Sequence, residues 1–166
     1  MTNQQEANMN AHISTNEITK IGIVGGGAWG TALATIVARA GCDGLLWARE
    51  EDVVASINNT HENTLFLPGI KPPPQITATT SLQDMADRQA ILMVVPAQHL
   101  GSVLADLTPH LLPEAGIALC AKGVERDSLR FMSEVASDHL AEHRIAVLSG
   151  PSFASDVAIG LPTAIT

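Results

Sequence analysis

The stretch Gly25-Gly26-Gly27-Ala28-Trp29-Gly30 carries glycines at the spacing GxGxxG. That spacing suits a phosphate-bearing ligand: Gly25 permits a tight turn, Gly27 lets the backbone approach a pyrophosphate, and Gly30 allows close helix–strand packing. The pattern alone is weak, and a glycine-rich turn without a ligand would read the same way. Arg49 lies 19 residues beyond Gly30, near where an adenosine ribose would be met. An acid there would bond the 2′-hydroxyl of NAD, whereas an arginine can hold the 2′-phosphate of NADP. The reading therefore leans to NADP with NAD admitted; the alternative is a surface arginine paired with Glu50 or Asp52. Lys122, in Ala121-Lys122-Gly123, could bind a phosphate or polarise a carbonyl, though its type also fits a solvated surface lysine. In SGPSFASD, residues 149–156, Gly150 can bring its backbone near a ligand. Pro151 suits a first helical turn, and Ser152 either caps that helix or donates to a phosphate. Pro96 ends an apolar run and can shape a wall, while His99 reads as structural rather than catalytic.

The elements around these residues give them context. An apolar β-branched run over residues 18–24 leads straight into the glycines, and residues 28–40 repeat at helical spacing, with Gly41 where a C-terminal cap belongs. Further short apolar strands are expected over residues 45–48, 76–79, 90–95, 117–121 and 145–148. Helices are expected from residue 50, over 98–107 and over 128–140, with a helical turn capped by Ser81 and a final strand starting near residue 161. Apolar strands that alternate with helices predict an α/β fold, a doubly wound, mainly parallel sheet of the Rossmann type. Ligands of such folds lie outside the carboxyl ends of the strands, where Pro96, Lys122 and Gly150 fall. Residues 58–74, with Pro72-Pro73-Pro74, read as a surface excursion, either a stiff connector or a flap beside a ligand.

Composition removes other classes. The chain has 166 residues, 46% hydrophobic and 16% charged, with a net charge of −8, which argues against a nucleic-acid binder. Cys42 and Cys120 form no CxxC, so two buried thiols in a reducing cytoplasm are expected and neither a disulfide framework nor a metal site is. No apolar run is long enough to span a membrane. Residues 1–16 are polar and read as a flexible tail, leaving residues 17–166 as one domain. There is no GK[ST] phosphate loop, no GxSxG elbow and no hydrolase triad.

Taken together, IGIVGGGAWGTALA, LWARE, NTLFLPGI, MVVPAQ, AKGVE and SGPSFASDVAIGLPTAI stand in one order along the chain. This sequence closely resembles the N-terminal half of the bacterial NAD(P)-dependent glycerol-3-phosphate dehydrogenases. The resemblance implies interconversion of sn-glycerol 3-phosphate and dihydroxyacetone phosphate for glycerophospholipid synthesis. It further implies cofactor contacts at Ala28, Trp29, Arg49, Lys122 and Ala154, and substrate contacts at Lys122, Gly150 and Ser152. The family's proton-transferring lysine belongs to a helical C-terminal domain, which is expected beyond Thr166, as are the contacts of a homodimer. Two alternatives remain at this point. One is another NAD(P)-dependent dehydrogenase acting on a hydroxy acid or sugar phosphate, and the other is a non-enzymatic nucleotide-sensing module.

Overall fold

The computed structural model describes residues 17–164 and 166; the expected tail, residues 1–16, lies outside them. Six strands form one sheet: β1 (Lys20–Val24), β2 (Asp43–Trp47), β3 (Thr77–Thr79), β4 (Ala90–Met93), β5 (Gly116–Leu119) and β6 (Arg144–Val147). Every pairing is parallel, in the order β3-β2-β1-β4-β5-β6. The chain winds outward from β1 to β3, then crosses back to place β4 on the other side of β1. That reversal leaves a crevice above the carboxyl ends of β1 and β4, the switch point of a doubly wound sheet.

Among the described residues, four α-helices cover the two faces, α1 (Ala28–Arg39), α2 (Glu51–Thr60), α3 (Leu100–Leu107) and α4 (Met132–Ser137), and a fifth, α5 (Ala154–Ile159), packs on α1. Strand alternation divides the core. Ile23 and Leu46 are paired in register and pack with Val37, Val53 and Ile57 under α1 and α2. Val24 and Met93 face the other way and join Ile117, Leu119, Leu104 and Val135 under α3 and α4. Burying each such aliphatic side chain contributes about 1.5–3 kcal/mol, which is why these strands read as apolar runs. A third cluster was not legible in advance: Val157 and Ala158 of α5 and Leu67 close over Ala32 on the outer side of α1.

Several local expectations are corrected. The helix expected from residue 128 begins only at Met132. Leu129 takes a positive φ of 57°, and Val124 bridges Phe131, so residues 124–131 fold back on themselves instead. At the start of α4 the Glu134 side chain reaches back over the first turn, and the Phe131 N–H donates to its Oε2 at 2.8 Å. The hydroxyl of Ser81 caps nothing; the Ser81 N–H donates to Thr79 Oγ1 at 3.0 Å. Residues 161–164 form no strand, although Thr166 and Ser149 exchange N–H···O bonds of 2.7 and 2.8 Å. Cys120 is buried, but Cys42 is only partly so. Gly41 does supply the left-handed turn after α1, at φ 80°. Among the described residues no helix is long and apolar enough to cross a membrane.

Candidate functional site

The turn from β1 into α1 is fixed by contacts within the protein at three of its glycines, and a fourth is spared. Gly25 adopts φ 134°, and a Cβ there would lie 2.8 Å from the Val94 carbonyl. A Cβ on Gly26 would lie 2.4 Å from Ala48 Cβ, and one on Gly30 would lie 1.8 Å from the Gly25 carbonyl oxygen. A Cβ on Gly27 would meet nothing within 4 Å, and its φ of −71° is open to any residue. Packing thus demands small residues at Gly25, Gly26 and Gly30 but not at Gly27, whose exposed edge opens on the crevice. Gly27 is also the residue that caps α1, and no side chain takes up the free N–H groups of that first turn. Such N–H groups and the positive end of the helix attract an anion.

Two clefts meet over this turn. One, of about 290 Å³, is lined by Gly25 to Gly27, Trp47, Arg49, Glu50, Phe66 and His99. The other, of about 530 Å³, is lined by Ala28, Trp29, Lys122, Ser152, Ala154 and the apolar wall of Ala97, Cys120 and Phe153. Val94, Val95 and Pro96 border both. The pair makes an elongated site with the helix N-terminus midway, a shape that fits a dinucleotide whose pyrophosphate lies at Gly27.

At the end of the smaller cleft, the Arg49 side chain is 75% exposed and meets Glu50 Oε1 at 3.3 Å. The expected ion pair is present, and it is loose enough to leave the guanidinium free for a phosphate. Trp47 is held by its indole N–H, which donates to the Thr80 carbonyl at 2.9 Å. His99 lines the smaller cleft, whereas Lys122 lines the larger one.

In the larger cleft, Lys122 follows β5 and donates from Nζ to the Gly150 carbonyl at 3.0 Å. That bond ties the loops after β5 and β6 together. Gly150 enters the site through this carbonyl. Ser152 does not cap a helix, because α5 starts only at Ala154; its Oγ donates to the Ala164 carbonyl at 3.2 Å. Pro151 likewise precedes the helix instead of opening it. Burial pushes the Cys120 thiol up to about 11, so it is protonated at neutral pH.

Of the two expectations for residues 58–74, the stiff connector is the poorer description: α2 runs on to Thr60, Leu67 is buried, and Phe66 walls the smaller cleft. One contributor escaped sequence reasoning. Asn63, also in this stretch, is buried against the glycine turn. The one available signal was local, an Asn whose side chain can accept the N–H three residues on.

A family model described as the NAD-dependent glycerol-3-phosphate dehydrogenase N-terminus matches residues 20–166. A glycerol-3-phosphate dehydrogenase (NAD(P)+) of Caulobacter vibrioides is 54% identical over 147 residues, covering 89% of this chain and 44% of that protein. One from Maricaulis maris is 50% identical over 151 residues, 91% of this chain and 45% of that protein. The crystal structure of glycerol-3-phosphate dehydrogenase from Coxiella burnetii superposes with a TM-score of 0.81 at 36% identity, covering 87% of this chain and 45% of that one. The chain therefore spans under half the length of these relatives. It belongs to the family of NAD-dependent glycerol-3-phosphate dehydrogenase N-terminal domains.

Proposed function

We propose that this chain is the cofactor-binding part of an enzyme that interconverts sn-glycerol 3-phosphate and dihydroxyacetone phosphate, using NADP(H) in preference to NAD(H). Gly27 carries the reading: it is the glycine of the turn that packing does not require, and it lies where the two clefts meet. The donor set fits the cofactor as well, with helix N–H groups for the pyrophosphate and Arg49 for a 2′-phosphate. When bound, the dinucleotide supplies hydride donation and acceptance at its nicotinamide ring.

The chain's own residues do the positioning. Gly25, Gly27 and Gly30 shape the turn, Ala28 and Trp29 begin the larger cleft, and Pro96 walls both halves. Lys122, steadied by the Gly150 carbonyl, offers an ammonium to a phosphorylated substrate. Ser152 and the backbone at Gly150 orient that substrate, and Ala154 closes the cofactor side. The apolar wall of Val94, Val95 and Cys120 keeps water from the reacting centre.

Proton transfer belongs to a residue outside this chain. Among the described residues only Cys120 and Lys122 can ionise along the larger cleft; the first is held as a thiol and the second is committed to binding. A helical C-terminal domain of the intact homodimeric protein would bring the proton-transferring lysine. The apolar surface left open beside the site, with Phe153 74% and Leu161 51% exposed, supports such a covering domain. The two unpaired thiols support a reducing, cytoplasmic setting.

Amine-reactive labelling of Lys122 tests the assignment. Glycerol 3-phosphate added with NADP should protect Lys122 well beyond the protection given by NADP alone. Equal protection with and without glycerol 3-phosphate would favour a module that only senses nucleotide.

A further inference from the structure

Asn63 is a buried polar residue with no part in the reaction just described. Its exposure is 0%, although it stands in the irregular stretch after α2. Its amide is fully committed. Nδ2 donates to the Gly26 carbonyl and to Thr31 Oγ1, each at 2.8 Å, and Oδ1 accepts the Phe66 N–H at 3.0 Å. Thr31 Oγ1 in turn donates to the Gly27 carbonyl at 3.0 Å. One side chain thus joins the glycine turn, the first turn of α1 and the Phe66 wall of the smaller cleft.

The bond to Gly26 has a directional consequence. The described peptide bonds are all trans, so the Gly26 carbonyl and the Gly27 N–H of one peptide unit point in opposite directions. The carbonyl is aimed inward at Asn63, so the N–H is aimed away from it, at an exposed glycine. No backbone acceptor among the described residues takes that N–H. A peptide between two glycines has little steric restraint of its own, and a flip would turn a carbonyl toward the ligand instead. We propose that Asn63 is a positioning residue: it locks the Gly26–Gly27 peptide with its N–H facing the crevice and thereby sets affinity for the pyrophosphate of a dinucleotide. The inference rests on the reading of the crevice as a dinucleotide site.

The test compares the full chain with its Asn63→Asp variant. Aspartate keeps the acceptor for Phe66 but loses both donors, and its carboxylate attracts the Gly27 N–H inward. Affinity for NADPH and NADH should fall about 10- to 100-fold, the effect of a lost hydrogen bond to a charged group. Adenosine 2′-monophosphate, which has no pyrophosphate, should bind within about threefold of its original affinity, since its charge-assisted contacts are to Arg49. Parallel losses for all three ligands would mean a merely structural role and would overturn the proposal, as would unchanged NADPH binding by a folded variant. Should the variant not fold, amide exchange in the unsubstituted chain decides. The Gly27 N–H should exchange freely without ligand and be slowed at least about tenfold by NADPH, as expected for a hydrogen-bonded amide; protection already present in the free chain refutes the lock. If the unsubstituted chain binds neither dinucleotide, the reading of the crevice fails and this inference falls with it. If it binds both and Asn63→Asp matches it, only the inference falls.

Discussion

Replacing Gly27 and Gly30 separately by alanine should split the glycine motif into a binding part and a folding part. At Gly30 the new methyl would lie 1.8 Å from the Gly25 carbonyl oxygen. Relief requires α1 to move about 1.5 Å away from the turn to restore normal contact, and overpacking of this kind costs roughly 1–3 kcal/mol or more. At Gly27 the methyl meets nothing within 4 Å, and φ of −71° suits alanine. Two small terms oppose each other there: alanine is a poorer N-cap than glycine, and it removes about 0.4–1 kcal/mol of unfolded-chain entropy. Gly27→Ala should therefore leave stability within about 1 kcal/mol of the original. Its methyl would occupy the place of the pyrophosphate, and losing one charge-assisted hydrogen bond costs about 1.5–3 kcal/mol, or roughly 10- to 150-fold in affinity. Urea unfolding followed by tryptophan emission, alongside NADPH titration, measures both quantities. A Gly27→Ala chain that binds NADPH as tightly as the original would refute the assignment of Gly27 to the ligand. One that is destabilised as much as Gly30→Ala would refute the packing argument.

Other outcomes follow from the same geometry. Arg49→Ala should weaken NADPH binding about 10-fold or more, the scale of a charge-assisted phosphate contact, and NADH binding far less; equal losses by isothermal titration would remove the 2′-phosphate role. Cys120, its thiol pushed up to about 11, should resist iodoacetamide at pH 8 while the partly exposed Cys42 reacts; comparable labelling of both in peptide mass spectra would contradict its burial. The Asp87 carboxyl is held below its ordinary value, chiefly by the hydrogen bond from Lys20 Nζ at 2.6 Å, with Arg88 adding attraction against the cost of burial. A lowered folded value means that its contribution is complete above the unfolded value of about 3.9 and is lost as pH falls further. Asp87→Asn should thus be slightly less stable at pH 6, by no more than about 1 kcal/mol for so exposed a pair, and the gap should narrow as pH falls below that unfolded value. A gap that persists at low pH would sink this assignment.

Much of this site could be read from residues whose meaning is local. The run of strand, glycines and helix around Gly25 to Gly30 is contiguous, and the apolar strands with a helix between them follow from periodicity within short windows. Lys122, Pro96 and Gly150 could be placed because the carboxyl ends of parallel strands converge on one edge of the sheet. The misreadings share a different cause. Ser152 has the composition of a cap, but its hydroxyl is taken by the carbonyl of Ala164, twelve residues further on. Residues 128–131 have a helical period, yet the bridge between Val124 and Phe131 and the positive φ of Leu129 hold them in a turn. Asn63 was not singled out because its three partners belong to Gly26, Thr31 and Phe66, two of them more than thirty positions away. For Ser152 and Asn63 a contact distant in sequence outweighs local preference, and for residues 128–131 a nearer bridge across the turn does.

Equilibrium titration of the chain with NADPH and, separately, NADH asks whether the crevice at Gly27 holds a dinucleotide. Trp29 lines the larger cleft and Trp47 the smaller one, so both report on occupancy of the site. Saturable quenching of tryptophan emission by both cofactors, at lower concentrations for NADPH, is the predicted result. A folded chain that shows no saturable response to either would mean that this crevice is not a dinucleotide site.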